Sequence, residues 1–365
     1  MMKYILSISL ILLFLGLFSC KQTPSDDMIT IDPGKFTHSN LKLSDYVDEI
    51  NYIKLSSDVI FGSIYNVELS NEFVFVGTDQ GLLVFDYSGD YIKKIGGIGN
   101  GPSEYNNSID FTTDNQTKRI YLRDFPYIKI FSFEGEYMGS IKTEGGHIKT
   151  IYREGNLFLI PLVAASRQKI PHLWTVIDLN GNVLFEKENT EIHFEGEGFN
   201  YRGNYAYRNS DFVGYWNHYS DTIYRISDRN NLPHFVWSKG SYRLTTEKNI
   251  IERDANCIRM HTVFETKNIL YIYYKKDTKS YICIYDKVNG LFLNEEMGSS
   301  IKAGIHNDID GGIPFLPQYL ASINQDDYFI ESVYPEEVTE QGSAGELKDI
   351  SPDDNQVLVL TKLKK

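Results

Sequence analysis

Cysteine is scarce, cationic side chains are outnumbered and long apolar runs are nearly absent from this 365-residue chain. Of 3 cysteines, only Cys257 and Cys283 lie in the body of the chain, with no histidine cluster beside them. That excludes a disulfide-built scaffold and a structural zinc site. Lys and Arg number 36 against 49 Asp and Glu, a formal net charge of −13. Such a surface repels nucleic acid and anionic lipid, and neither is expected as a partner. A single long apolar run, residues 5–18, is too short for a comfortable membrane span. No segment carries a sustained helical stripe, and proline occurs only 11 times, mostly in connections. Catalytic signatures are missing too: there is no G-x-S-x-G elbow, no H-E-x-x-H and no repeated S-x-D-x-G-x-T-W turn. The adjacent acids Glu295–Glu296 and Asp326–Asp327 would point to opposite faces of a strand and could not share a substrate.

What is present begins with an address. In "MMKYILSISLILLFLGLFSC" a lysine precedes the apolar run, and small Ser19 stands just before Cys20. This is the layout of a secretory signal. "LFSC" also resembles the bacterial lipobox, in which cleavage leaves a lipidated N-terminal cysteine; the other reading is an ordinary signal with an incidental cysteine, and Phe18 is bulky for the motif. The expected division is a lipoprotein signal at 1–19, a lipidated tether at 20–36 with the lipid on Cys20, and one folded body at 37–365. Removal of 1–19 takes away Lys3 and no acid, leaving 35 basic against 49 acidic residues, a formal −14. The expected location is the cell envelope, lipid-anchored in the outer membrane and facing the periplasm or the surface, with the lipid as the only membrane contact.

The most informative feature is periodic. "DYSGDY", "SFEGEY" and "DLNGNV" place Gly89, Gly135 and Gly181 at two successive spacings of 46. An apolar run precedes and another follows each turn, a hairpin signature. Copies persist at 220–237 and at 270–296, the last restoring its glycine at Gly290. A period in the forties made of short strands predicts an all-β propeller of four-stranded antiparallel blades. Innermost strands are expected near 64–69, 108–113, 148–153, 201–206, 258–264 and 305–310, giving six blades, with seven left open by the period alone. Long connections fall at 161–172 and 335–354, the second read as a solvated excursion. Two strands lack hairpin partners, at 47–57 and 355–364; they are expected to close the ring by sharing one blade.

The glycine-rich "GGIGNGPSEY" invites a phosphate-cradle reading. However, Pro102 stands where the dinucleotide fingerprint needs its third glycine, no Gly-Lys-Ser/Thr follows, and the next segment is strand-like. In register with the repeat, the loop instead marks a blade boundary, where the chain turns back from rim to axis.

"FDYSGDYIKKIGGIGNGPSEY" followed by "IDFTTDNQTKRIYLRD" resembles the six-bladed β-propeller lipoproteins of Bacteroidota, relatives in style of NHL-repeat propellers. "YSDTIYRI", "HNDIDGG", "DNQVLVLTKLK" and the opening "LKLSDYVDEINYIKLSS" are similar to segments of the same family, although Gln356 stands where proline is expected. The resemblance spans essentially the whole mature chain. Its motifs are architectural, and it implies no reaction and no catalytic residues. Asp26–Asp27 is similar to the family's surface-export tags but lies further from Cys20.

Candidate chemistry is therefore drawn from the expected channel. Asn66, Asp110, Lys149, Arg202, Arg259, His261, His306 and Asp308 are polar positions on the proposed inner strands; they form either a ligand site at the channel mouth or the lining of a hydrated channel. "HNDIDGG" suggests an oxygen-rich metal site, but His306 and Pro317 fail the first and twelfth positions of an EF-hand loop, and an Asx turn is the alternative. No cofactor is expected, a divalent metal at the mouth being the one candidate. Trp216, Asn217, His218 and Tyr219 could stack on a sugar or pack between blades, and Cys257 and Cys283 could be buried thiols or a disulfide. The leading expectation is a binding or scaffolding module for a glycan, peptide or protein. The alternative is a metal-dependent hydrolase or lyase acting at the channel mouth.

Overall fold

The repeating turns explain why these residues form hairpins. In the computed structural model, which describes residues 28–106, 110–162, 170–190, 204–227, 231–238, 257–298, 303–340, 347 and 350–365, each turn is held by its own first side chain. Asp86 accepts from the amides of Ser88 and Asp90 at 2.9 and 3.0 Å, and Asp178 accepts from Asn180 and Asn182, both at 2.8 Å. Ser132 plays that part for Glu136 at 3.2 Å. The glycine follows at positive φ: 90°, 95° and 88° at Gly89, Gly135 and Gly181. At Gly89 a Cβ would also stand 2.0 Å from the carbonyl oxygen of Lys54 on the neighbouring blade, so space as well as backbone angle demands glycine.

The strands assemble into six blades of four antiparallel strands each, sequential in blades one to five. Blade one runs Ile64–Leu69, Val74–Thr78, Gly81–Phe85 and Tyr91–Ile95. Blade two begins at Phe111–Asp114, blade three at Lys149–Arg153, blade four at Asn204–Arg208, and blade five at Ile258–Glu265. Blade six combines Tyr319–Ile323, Asp326–Val333, Val357–Leu363 and, on its outer edge, Val47–Lys54. The two chain ends therefore close the ring in one blade, with Val357 paired to Lys54 and Thr361 to Ile50.

Burial follows position in the blade. The two middle strands of blade one, "VFVGT" and "GLLVF", are buried at every residue because neighbouring blades cover both faces. The outer strand "YIKKI" alternates with solvent. Adjacent blades share aromatic pairs, such as Phe75 of blade one with Phe133 of blade two at 4.7 Å.

A strap precedes the closing strand. Ile29–Ile31 adds a parallel fifth strand to blade four, and Thr37–His38 does the same for blade five. The chain thus engages the ring within the segment expected to be tether. Leu43 then donates to the His306 carbonyl at 2.9 Å before Val47–Lys54 joins blade six.

Two expectations are corrected. The innermost strand of blade six is Tyr319–Ile323, not 305–310, where Ile305 and His306 make only isolated bridges to Phe315 and Lys42. Its first hairpin turns at Asn324 and Gln325 with φ of 51° and 67°; the repeat's glycine turn joins third and fourth strands, and in blade six those come from opposite ends of the chain. The 335–354 connection is also less solvated than its composition implies: Val338, Leu347 and Ile350 are buried in the main core. Cys257 and Cys283 are both buried, and no disulfide joins them. Among the described residues, no helix is long and apolar enough to cross a membrane.

Candidate functional site in the channel

Every innermost strand runs in the same direction along the axis. The end where these strands begin is the mouth, and the end where they finish is the floor. Antiparallel order places the connections between second and third strands, and those leading to the next blade, at the mouth.

A cavity of about 630 Å³ occupies the axis and takes lining residues from all six blades. Tyr65 and Asn66 come from blade one, Asp110 from the entry to blade two, Lys149 from blade three, Tyr205 from blade four, His261 from blade five, and Gln318 and Tyr319 from blade six. Tyr65 and Tyr205 are about half exposed, at 51% and 50%. At the other end Arg208 crosses the axis from blade four. It pairs with Glu68 of blade one at 2.5 Å, while its other terminal nitrogen donates to the carbonyls of Thr113 and Tyr152, both at 2.8 Å. Thr113 adds a hydroxyl bond to Glu68 at 3.2 Å. One side chain thus ties blade four to three others and bars the channel.

The walls are pre-paired. Asp110 holds Lys149 at 3.2 Å and accepts from the Thr150 amide at 2.6 Å, while Asn66 donates to the Phe111 carbonyl at 2.8 Å. Tyr319 donates to the Ile64 carbonyl at 3.1 Å, and burial pushes its hydroxyl pKa well up, so it stays protonated. Burial first, then the charges of Lys275 and Arg259, lower the pKa of His261. Its imidazole is neutral at physiological pH, with one nitrogen to donate and one to accept.

The structure therefore brings Asp110, Lys149, His261 and Asn66 to one cavity. It places the remaining candidates elsewhere. Arg202 lies outside the described residues. Arg259 donates to the Asp277 carbonyl of its own blade at 3.2 Å. His306 and Asp308 are not in the channel, because their segment leaves the mouth and returns along the outside of the ring to lock the strap. Asp308 accepts from the Ser44 amide at 2.9 Å and hydroxyl at 2.7 Å, and these bonds hold its carboxyl below the usual range. Asp310 accepts from the Tyr52 hydroxyl at 2.9 Å. Among the described residues, no three His, Cys, Asp or Glu side chains gather in a metal-holding group. Trp216, Asn217 and His218 are buried, and Trp216 backs Tyr205 with ring centroids 5.4 Å apart.

The glycine-rich loop is occupied by its own carboxylate. Glu104 accepts from the Gly101 amide at 2.8 Å and fills the space that a Cβ on Gly99 would need. Lys129 donates to the carbonyls of Gly101 and Glu104, and the Tyr105 hydroxyl donates to Ile95 at 2.7 Å. The loop is a wedge between blades one and two.

Sequence reasoning missed Tyr65, Glu68, Tyr205, Arg208, Gln318 and Tyr319. A signal existed for the tyrosines: three inner strands carry Tyr at their first or second position. Recognising it needed the blade register, which turn spacing alone does not supply.

The family model described as "Domain of unknown function (DUF4934)" matches residues 28–362. The chain belongs to this family. No curated protein matches it. Among solved structures, this member of the family is similar to a Bacteroides fragilis protein named for its inferred export, with 18% identity and a TM-score of 0.71 over 93% of this chain and 100% of that one. The Neurospora crassa Pan2 WD40 domain matches at 10% identity and a TM-score of 0.43 over 91% and 98% of the two chains. A Bacteroides caccae protein of unknown function matches at 12% and 0.38 over 64% and 86%. Identities this low speak to fold alone, and the last two scores support no argument.

Proposed function

We propose that the protein is a lipid-anchored envelope propeller that binds a ligand at the mouth of its channel. One observation carries the reading: all six blades contribute to a walled cavity that is barred at one end and bears half-exposed aromatic rings at the other. Its volume falls within the roughly 300–1,000 Å³ usual for ligand pockets. The pre-paired charges around it favour recognition over chemistry: Asp110 is engaged by Lys149 and Glu68 by Arg208, which leaves neither carboxylate poised as a base among the described residues.

The address rests on the signal-like opening and Cys20, and the Bacteroides fragilis neighbour named for export agrees with it. Strand polarity adds an orientation. Ile29–Ile31 runs parallel to the outer strand of blade four, hence from floor to mouth, so the chain enters the ring from the floor side. A lipid on Cys20 then holds the floor toward the membrane and the mouth away from it.

Two measurements test this. Radiolabelled palmitate should mark the wild type and not Cys20→Ser. Fractionated envelope extract should raise the melting temperature of the wild-type protein by mass action, and less that of Lys149→Ala. Equal labelling of both forms removes the anchor, and equal shifts in both proteins remove the mouth as the binding site.

A further inference from the structure

We propose that the mouth of the channel recognises the terminal unit of a saccharide, clamped between Tyr65 and Tyr205. This deepens the binding reading and rests on it.

Blades one and four lie opposite each other in a ring of six, and Tyr65 and Tyr205 line the same cavity from these facing walls. Both rings are about half exposed, and Tyr205 is backed by Trp216 at an interplanar angle of 29°, which holds its outer face open to a ligand. Aromatic faces presented across a cleft suit the C–H-rich faces of a pyranose, with little loss of side-chain entropy.

The lining offers hydrogen-bonding groups more than free charge. Asp110 is matched by Lys149, and Glu68 by Arg208. Thr262 adds a neutral donor and acceptor, the Gln318 amide is held by the Ser332 backbone, and Arg123 is a further cation in the wall. Paired charges of this kind accept and donate to hydroxyl groups through charge-assisted bonds without demanding a charged ligand. His261, kept neutral, has both a donor and an acceptor nitrogen.

The chief competitor is a peptide. An extended peptide would add to an exposed strand edge, and the inner edges are the ones facing the channel. In blades two and three they are already used. Asn66 takes the Phe111 carbonyl, Asp110 the Thr150 amide, Thr112 the Tyr152 amide at 3.1 Å, and Arg208 the carbonyls of Thr113 and Tyr152. Along these two blades, side chains and not backbone are what the cavity presents. The Arg208–Glu68 bar then prevents threading, so a saccharide enters by its end and not along its length.

The test probes the full chain on a printed array of neutral and acidic glycans, followed by calorimetric titration of the best-bound oligosaccharide. Tyr65→Ala, at an exposed position, and Tyr205→Ala should each weaken binding about tenfold or more. Tyr205→Phe guards against a folding defect in the alanine variant and should retain most of the affinity. Unchanged affinity in both alanine variants places the saccharide elsewhere and overturns the proposal. If no glycan binds but a peptide library does, the saccharide reading fails while the binding module stands. If neither binds, both fall.

Discussion

The two ends of the ring are built to opposite specifications. At the floor, the turns are short and capped by their own side chains. Asn209 accepts from the amides of Asp211 and Phe212 at 2.8 and 2.7 Å, and Ser70 accepts from Phe73 at 2.9 Å. These turns also stitch neighbouring blades. Asn115 donates to the Leu69 carbonyl at 3.1 Å, Asn209 to the Glu265 carbonyl at 2.7 Å, and the Ser210 amide to Asp327 at 3.0 Å. The mouth is where the long connections start and end: 161–171, 189–203, 238–257, 298–318 and 334–356. The floor holds the ring's geometry, while the long connections begin and end on the side where the cavity opens. Such a division is expected where recognition sits on connections supported by a rigid frame.

The floor's strongest device is Glu265, fully buried at the end of the inner strand of blade five. Arg225 and Lys287 each reach its carboxylate at 2.6 Å, and His234 at 3.0 Å. Burial alone would raise its pKa, but the His234 hydrogen bond and the charges of Lys287 and Arg225 outweigh burial and bring it down to about 2. At the mouth side, by contrast, His147 is buried beside Arg123. Burial, then that charge, pushes its pKa down to about 4.

If the floor frames and the mouth recognises, substitutions should separate accordingly. The largest effect should come from closure. Deleting residues 356–365 removes the third strand of blade six and strands Val47–Lys54, so the cooperative melt should disappear; a truncated chain that melts like full length refutes the closure. Next, Glu265→Gln leaves buried cations facing a neutral amide and should cost about 3–5 kcal/mol in urea unfolding, with mouth binding retained in the folded fraction. Arg208→Met should cost about 2–4 kcal/mol, since Glu68 then loses its partner in a partly buried site.

Acid should weaken the two ends in two windows. His147 has a folded pKa below its usual 6.5, so the unfolded chain takes up a proton first and stability falls between about pH 6.5 and 4. Glu265 stabilises fully above its usual 4.5, and that contribution is lost as pH falls towards 2. Melting temperatures measured from pH 7 to 3 should decline through both windows, and Glu265→Gln should flatten only the lower one. The smallest effect belongs to Asp308→Ala, which loosens an exposed strap contact. It should shift the melt slightly and leave mouth binding unchanged; a lost ligand would return the 306–310 segment to the site.

Much of the frame was legible because turn chemistry is local. An Asp or Ser, a glycine and flanking strands recur at a fixed spacing, and local hydrogen bonds explain why. The sixth inner strand was not legible because blade six takes its third and fourth strands from opposite chain ends and so has no glycine turn between them, while "HNDIDGG" advertised a site and serves as a lock. At the mouth, Asp110, Lys149 and His261 were found by their place on inner strands. Glu68 and Arg208 were not, since their pairing joins residues 140 positions apart.

Taken by itself, the amino-acid order determined the class of fold, the closure by the two chain ends and the boundary role of the glycine loop. Each of these follows from contacts within a blade or from unpaired terminal strands. Only the tertiary structure decided which polar residues share the channel, which end is barred and which tyrosines face across the mouth. Those depend on the rotation of six blades about one axis, and no local spacing records that angle.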